Sequence, residues 1–363
     1  MKSVGRLLVA WVAMAAALPM PALATDENDW EFVQYEPKPA TYEELPLGGP
    51  TQVPWIQKGQ LHIGDAVIET EANVLTGRSG TYIVSKGRRS PVHDQGWWIV
   101  RGTRLKKLPS NAETRLPYVS ANGRWIAWID TRSRLIPDHD PSQDFEELRQ
   151  RVVLYDAIAG KKVAVHKDRR ISDVEDRANA LALQGLDNTG RALVEWGETG
   201  VFVFGPDGRV VPLKVKARYT TEWDSWPGGA MLIRYHNGPS AVFGRVSQGG
   251  RFREVGGFYS GTGYWSSTGD QFVQPSSGSE WSGAYVYRLE DGTVVELGIP
   301  EVDDYVDVVG WESETSVLLW RYTGFGVKPK TGFLLRCDSA SGDCERVADG
   351  PTSGRGITLP RLN

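Results

Sequence analysis

Histidine and cysteine are scarce in this 363-residue chain, five and two respectively, and the histidines (His62, His93, His139, His166 and His236) are scattered. Structural zinc takes four Cys or His ligands at fixed spacings, so no zinc framework is expected. Basic residues are not clustered along the sequence: 41 Lys and Arg face 45 Asp and Glu, a net charge of −4. Phosphate-backbone recognition depends on clustered cations, which argues against nucleic acid as a partner. The Gly-x-Ser-x-Gly pentapeptide of a serine-hydrolase elbow is absent. Helical periodicity is almost absent as well, and no apolar run of about 20 residues, the length of a membrane span, follows the first 24 residues.

Those 24 residues carry the three-part layout of an export signal. Lys2 and Arg6 precede an apolar stretch from Leu7 to Leu18, and Ala22-Leu-Ala24 forms a small-x-small cleavage site. The mature chain is therefore expected to begin near Thr25, with a net charge of −6, as a secreted, extracellular monomer without a membrane span. An uncleaved anchor is the competing reading. Lipid attachment needs a cysteine just after the apolar core, and the nearest is Cys337.

What is abundant is punctuation: 41 glycines, with short β-branched and aromatic runs between Gly, Asp, Asn and Ser clusters. Two landmarks recur in fixed order. The first is a polar turn leading into an apolar strand, clearest in Val119-Ser-Ala-Asn-Gly-Arg-Trp-Ile-Ala-Trp128 and Leu186-Asp-Asn-Thr-Gly-Arg-Ala-Leu-Val-Glu-Trp196. Trp265 to Val273 keeps that spacing, Trp311 to Trp320 has Thr315 in place of the glycine, and looser copies lie at Leu75 to Val84 and Trp223 to Ile233. The second is a hairpin after each, around Gly102, Gly160, Gly208, Gly250, Gly292 and Gly342, at intervals of 58, 48, 42, 42 and 50 positions. A period of about 40–50 residues with two hairpins per unit is that of a four-stranded propeller blade. The sequence thus predicts an all-β fold, a six-bladed β-propeller of four-stranded antiparallel blades over residues 59–358. Repetition also explains how some 340 mature residues share one core.

Two segments break the rhythm. Residues 131–150 lengthen the second unit and read as a surface loop with a short helix from Ser142 to Gln150, since Ser142 suits a helix cap and Glu146 and Glu147 its first turns. Residues 25–58, rich in acids, Pro and Gly, read as an extended arm. Leu61-His-Ile63 and Ala66-Val-Ile68 look like strands that come too early for the repeat, and are expected to add an outer strand to the last blade and latch the ring. Cys337 and Cys344, at the feet of the last hairpin, are expected to form a disulfide in an oxidising compartment; a two-cysteine metal site is the rival and lacks histidine partners.

At Ser120-Ala-Asn-Gly-Arg-Trp-Ile-Ala-Trp128 the chain resembles the blade signature of TolB-type and WD-repeat-like propellers, in which a Ser-Pro-Asp-Gly-like turn precedes an apolar strand. Ala121 and Asn122 replace Pro and Asp, and the match runs from about residue 75 to 350. The Cys337–Cys344 hairpin, the signal and the Leu61-His-Ile63 segment look like secreted actinobacterial propellers of this type. The resemblance implies a fold and an exported scaffold; it carries no catalytic residue.

Trp223, Trp265 and Trp311 share one repeat register, just before the polar turn. With Trp226 and Tyr264 they are candidates to rim the channel mouth, where rings beside Asp224, Ser266 and Glu312 would suit a glycan or protein ligand. The competing reading is inter-blade packing, the role expected of Trp128, Trp196 and Trp320. Asp138, Asp140 and Asp144 offer oxygens to a hard cation, with calcium as the only cofactor considered, although the loop lacks the glycine and terminal glutamate of a helix-loop-helix calcium site and reads equally as solvated. No catalytic residue is assigned. The expected function is a non-enzymatic binding or scaffold module for a protein or glycan; the alternatives are a secreted propeller-type glycan hydrolase or lyase, which needs carboxylates converging on a cleft, and a purely structural surface protein.

Overall fold

The computed structural model describes residues 31–360 apart from internal breaks, the longest at 87–95, 136–144, 323–331 and 348–356. The candidate metal ligands Asp138, Asp140 and Asp144, the export signal and Trp226 lie outside the described residues. Among the described residues regular structure is all β but for one 3-10 turn, Tyr42–Glu44. No described helix is long and apolar enough to cross a membrane.

The strands form seven sheets. Each sequence repeat folds as four strands hydrogen-bonded in chain order, so each of the two landmarks is one hairpin. Blade one is Ala72–Arg78, Thr81–Lys86, Gly96–Arg101 and Arg104–Lys107; blade two is Tyr118–Val119, Trp125–Leu135, Phe145–Asp156 and Lys161–Asp173. Blade three spans 181–212, blade four 219–259, blade five 264–296 and blade six 305–346. The six-blade count misses a seventh. Trp55–Gln57, Gln60–Ile63 and Ala66–Glu69, expected to lend one outer strand to the last blade, instead build their own sheet, and Ile357–Thr358 from the far end of the chain pairs antiparallel with Trp55–Gln57 as its first strand. Pairing the two ends of the chain in one sheet closes the ring. Trp55–Gln57 also falls inside the segment expected to be arm.

The core lies in the seams between blades, as alternation along the strands requires. In blade two Ile126, Trp128, Val153 and Tyr155 pack with Ile83, Trp97 and Ile99 of blade one. Their neighbours Ala127, Ile129, Val152 and Leu154 turn the other way, onto Leu181, Val194 and Phe204 of blade three. Blades six, seven and one share another cluster around Leu318, Leu61 and Val84. Blades five and six share a fourth around Val286 and Leu319. Every blade in these clusters is apolar on both faces and could not be stable alone.

The glycines that mark the repeat are fixed by these seams. Gly123 has φ +67°, and a Cβ there would lie 2.7 Å from the Ser79 carbonyl of blade one. Gly342 has φ +79°, and a Cβ there would lie 2.4 Å from the Glu296 carbonyl of blade five. Backbone sits where a side chain would have to go, so the turn residue serves both its own hairpin and the next blade's approach.

The expected helix over 142–150 is replaced, from Phe145 on, by strand. The second and third strands of blade two run on as an antiparallel pair to Leu135↔Glu146, and the third pairs with the fourth out to Phe145↔Asp173. Blade two therefore carries a three-stranded extension in place of a loop. Cross-strand pairing with residues 161–173, remote from the local capping signals, outweighs a weak helical propensity.

The arm wraps the ring. Glu31–Val33 adds to the outer strand of blade five, Thr293–Glu296, in parallel, and Leu47 bridges Arg346 on the outer strand of blade six. Cys337 and Cys344, cross-strand partners in blade six, form the disulfide expected at the feet of that hairpin. The closed loop is short, so replacing both by serine should lower unfolding stability by about 2.5 kcal/mol on the chain-entropy scale. Equilibrium denaturation of the double variant against the oxidised chain checks this, and a loss under about 1 kcal/mol would show that the arm and seams already hold the hairpin closed.

Candidate functional site

The polar turns between the first and second strands of blades one, two, three, five and six converge at one end of the ring and bond to one another. Ser79 Oγ of blade one donates to the Ala121 carbonyl of blade two at 2.5 Å. The Asn122 backbone N–H donates to Asn188 Oδ1 at 2.8 Å, and Trp125 Nε1 to the Asn188 carbonyl at 3.1 Å, tying blades two and three. Asn188 Nδ2 in turn donates to the Ser267 carbonyl of blade five. Thr268 Oγ1 donates to Glu314 of blade six at 2.8 Å. Contacts between non-adjacent blades mean that these turns reach the axis. Arg78 of blade one is buried there; burial pulls its guanidinium down to about 10, opposed by Tyr264 of blade five. Within the turns of blades two, three, five and six a short side chain accepts from the backbone, as Asp187 Oδ1 does from the N–H groups of Thr189 and Arg191.

This geometry sorts the aromatic candidates. Trp265 is 1% exposed and packs its ring on Phe272 with centroids 5.0 Å apart; it belongs to the interior of blade five and presents no face to a ligand. Trp311 and Tyr264 are half-buried at the seam between blades five and six, where Trp311 Nε1 donates to the Tyr264 carbonyl at 2.9 Å. Trp223 lies in the strand Tyr219–Trp223 of blade four, at the register expected. The shared register is that of a seam residue, which for Trp265 favours packing over a rim.

Sequence reasoning missed two polar constructions. The first holds the arm to blade six. Arg336 donates to Glu312 and Glu345, and also to the carbonyls of Gly49 and Pro50 in the arm. Glu312 Oε1 accepts from Thr51 Oγ1 and from the Gln52 backbone N–H, each at 2.7 Å. Burial pushes the Glu312 carboxyl up, but Arg336, Thr51 and the Gln52 N–H outweigh it and hold the group below the usual carboxylate range. Nearby, Tyr42 of the arm is buried beside Phe333 with the Arg321 guanidinium 3.9 Å from its ring centroid. Burial lifts the Tyr42 phenol to about 12 against the pull of Arg321.

The second fixes the base of the blade-two extension. Asp130, 1% exposed, accepts from Trp128 Nε1 at 2.9 Å and from Arg151 at 3.0 Å. Gln150, also buried, accepts from the Leu181 N–H of blade three at 2.8 Å. His166 on the outer strand rests against Phe202 and Phe204 of blade three, 5.4 and 5.7 Å between centroids. The extension thus leaves the ring from an anchored base. The signal in the sequence was the alternation Ile-Asp-Thr-Arg-Ser-Arg over 129–134, which continues the strand beyond Trp128.

Among the described residues no group of three or more His, Cys, Asp and Glu is arranged to hold a metal ion. No protein-family model matches the chain, and no curated protein matches it. Similar solved structures include TolB from Acinetobacter baumannii, 15% identical over 80% of this chain with a TM-score of 0.40. The acylaminoacyl peptidase of Pyrococcus horikoshii is 11% identical over 80% of this chain with a TM-score of 0.49. The β-propeller domain of the Trilobed protease from Pyrococcus furiosus is 14% identical over 77%, with a TM-score of 0.45. This chain spans 66% of the TolB chain, 48% of the peptidase and 86% of the protease domain. The closed ring of four-stranded sheets with its core in the seams makes this protein a β-propeller.

Proposed function

We propose that this protein is an exported, non-enzymatic β-propeller module that uses a stiff ring to hold out a binding surface for a protein or glycan. The observation that carries this reading is the blade-two extension: three strands prolonged past the ring, with a base locked by buried Asp130 and Gln150. The convergent turns are engaged with one another, so the ring acts as support and the projection as display. A disulfide and the N-terminal signal pattern are compatible with export.

The test is capture from envelope extracts and a glycan panel with the mature chain, beside a variant in which residues 133–148 are replaced by a short turn. A partner held without chemical change, and lost in the shortened variant with the melting temperature kept, is the expected result. Release of a product from a glycan substrate would overturn the non-enzymatic reading, and equal capture by the shortened variant would move the surface elsewhere.

A further inference from the structure

We propose that the outer margin of blades one and two is a docking surface for a bilayer rich in anionic phospholipid, which its cations attract and its exposed aliphatic side chains enter. This goes beyond the binding-module reading and does not depend on the blade-two extension.

Two outer strands, with the hairpins that lead into them, carry the surface. Residues 96–108 of blade one supply Arg101, Arg104, Lys106 and Lys107, and residues 157–167 of blade two supply Lys161, Lys162 and Lys167; neither stretch contains an acid. All seven cations are exposed. Blade packing brings the two groups together. Arg101, directly opposite Arg104, donates across the seam to the Ala157 carbonyl at 3.1 Å, and a Cβ on Gly160 would lie 3.2 Å from Lys106 Nζ. Among the described residues none of the seven forms an ion pair; Lys107 and Lys162 rest over the rings of Trp98 and Trp128. Asp156, the cross-strand partner of Lys161, is buried and taken by Arg124 and by the N–H groups of Ile158 and Ala159.

Protection of an open edge, the general use of lysine on outer strands, does not explain where these cations are. The outer strands of blades five and seven, Thr293–Glu296 and Ala66–Glu69, carry an acid and no cation. That of blade three, Val210–Pro212, carries neither, and those of blades four and six mix both signs. Asp168 and Asp173 of blade two come later on its outer strand, from the base of the extension onward. In a chain with a net charge of −4, unopposed cations on two adjacent blades repel one another, and an anionic surface would relieve that repulsion. The aliphatic residues select the partner. Ile158, in the turn between Ala157 and Gly160, is 65% exposed, and Val163 and Val165 are exposed among the lysines of the outer strand. A hydrated acidic polymer offers these side chains nothing. A bilayer takes the cations at its headgroups and the aliphatic groups just beneath them. The turn and the tip of the extension lie at opposite ends of blade two, since Asp156 pairs with Trp125 and Glu146 with Leu135, so attachment through the first leaves the second free.

Vesicles of phosphatidylcholine with and without phosphatidylglycerol are the probes, with polyglutamate as the acidic polymer, and binding is read by vesicle sedimentation. The mature chain should bind the phosphatidylglycerol vesicles and not pure phosphatidylcholine, and should weaken severalfold between about 50 and 200 mM salt. An Arg104→Gln/Lys106→Gln/Lys161→Gln triple variant should lose at least about tenfold in affinity, since each cation near an anionic surface contributes about fivefold. It should melt no lower than the parent, because it breaks no ion pair and relieves the opposed Arg101 and Arg104. Ile158→Ser should weaken vesicle binding by at least about threefold and leave any binding to polyglutamate unchanged. No binding to phosphatidylglycerol vesicles, or equal binding by the triple variant, would overturn the proposal. So would an Ile158→Ser variant that binds vesicles as the parent does, because a surface that grips charge alone belongs to an acidic polymer. The variant lacking residues 133–148 keeps this surface and should bind vesicles like the parent. If the extract capture described above succeeds while vesicle binding fails, the module reading stands and this inference alone falls.

Discussion

Replacing Trp128 by alanine should lower unfolding stability by about 4 kcal/mol, the largest single-residue effect expected in the ring. Trp128 is fully buried, lies in the seam between blades one and two beside Tyr155 at 6.0 Å, and has Lys162 Nζ 5.7 Å from its ring centroid. Truncation opens a cavity at a seam held on both sides by sheets, which cannot collapse without bending a blade. It also removes the indole N–H from Asp130, leaving that buried carboxylate with one donor fewer. Trp128→Phe fills most of the space and loses only the hydrogen bond, so it should cost about 1.5 kcal/mol. Denaturant unfolding of both variants with an unchanged slope checks this. A loss under about 2 kcal/mol for the alanine would mean that the seam relaxes, and equal losses for both variants would place the effect in the hydrogen bond alone.

The six repeats were legible because their signals are local. A hairpin turn needs a left-handed residue, and Gly102, Gly160, Gly208, Gly250, Gly292 and Gly342 all have positive φ. The seventh blade was not legible for the opposite reason. Its first strand is two residues, Ile357–Thr358, whose partner Trp55–Gln57 lies at the other end of the chain. No periodicity links segments so far apart; only closure of the ring does.

The extension was misread, and the choice between rim and packing for Trp265 was left open, for different reasons. Pro137, Pro141 and the run Ser142-Gln-Asp-Phe-Glu-Glu147 imitate a loop and a capped helix, and the competing strand Lys161–Asp173 looks like an ordinary charged surface segment. Trp265 was placed correctly in its repeat, but a repeated position is equally what seam packing produces. Burial distinguishes the two, and burial depends on neighbouring blades. The arm's contacts were invisible for a related reason: Arg336 and Glu312 are unremarkable in sequence and acquire meaning only when Gly49 to Gln52 cross them.

Arg336→Met tests whether those contacts hold the arm. Glu312 is 10% exposed and Arg336 19%, so the pair is shielded enough for removal of one partner to be costly, and about 3 kcal/mol is expected after allowing for residual solvent access. The Gly49 and Pro50 carbonyls lose their donor at the same time, so residues 31–53 should become sensitive to limited proteolysis while the blades stay protected. Because the folded Glu312 carboxyl sits below its unfolded value, its contribution is fully present above the ordinary glutamate value of about 4.3 and is lost as pH falls through the lower folded value. The stability gap between parent and variant should therefore be widest near neutral pH and narrow in acid. Arg336→Lys restores the charge but not the fork to Glu312, Glu345 and the two carbonyls, and should recover less than half of the loss. Unfolding measured on both sides of the glutamate value decides the matter: a gap that does not change with pH would assign the loss to side-chain packing, and an arm as resistant to protease as in the parent would show that Tyr42 and the Glu31–Val33 strand hold it without the ion cluster.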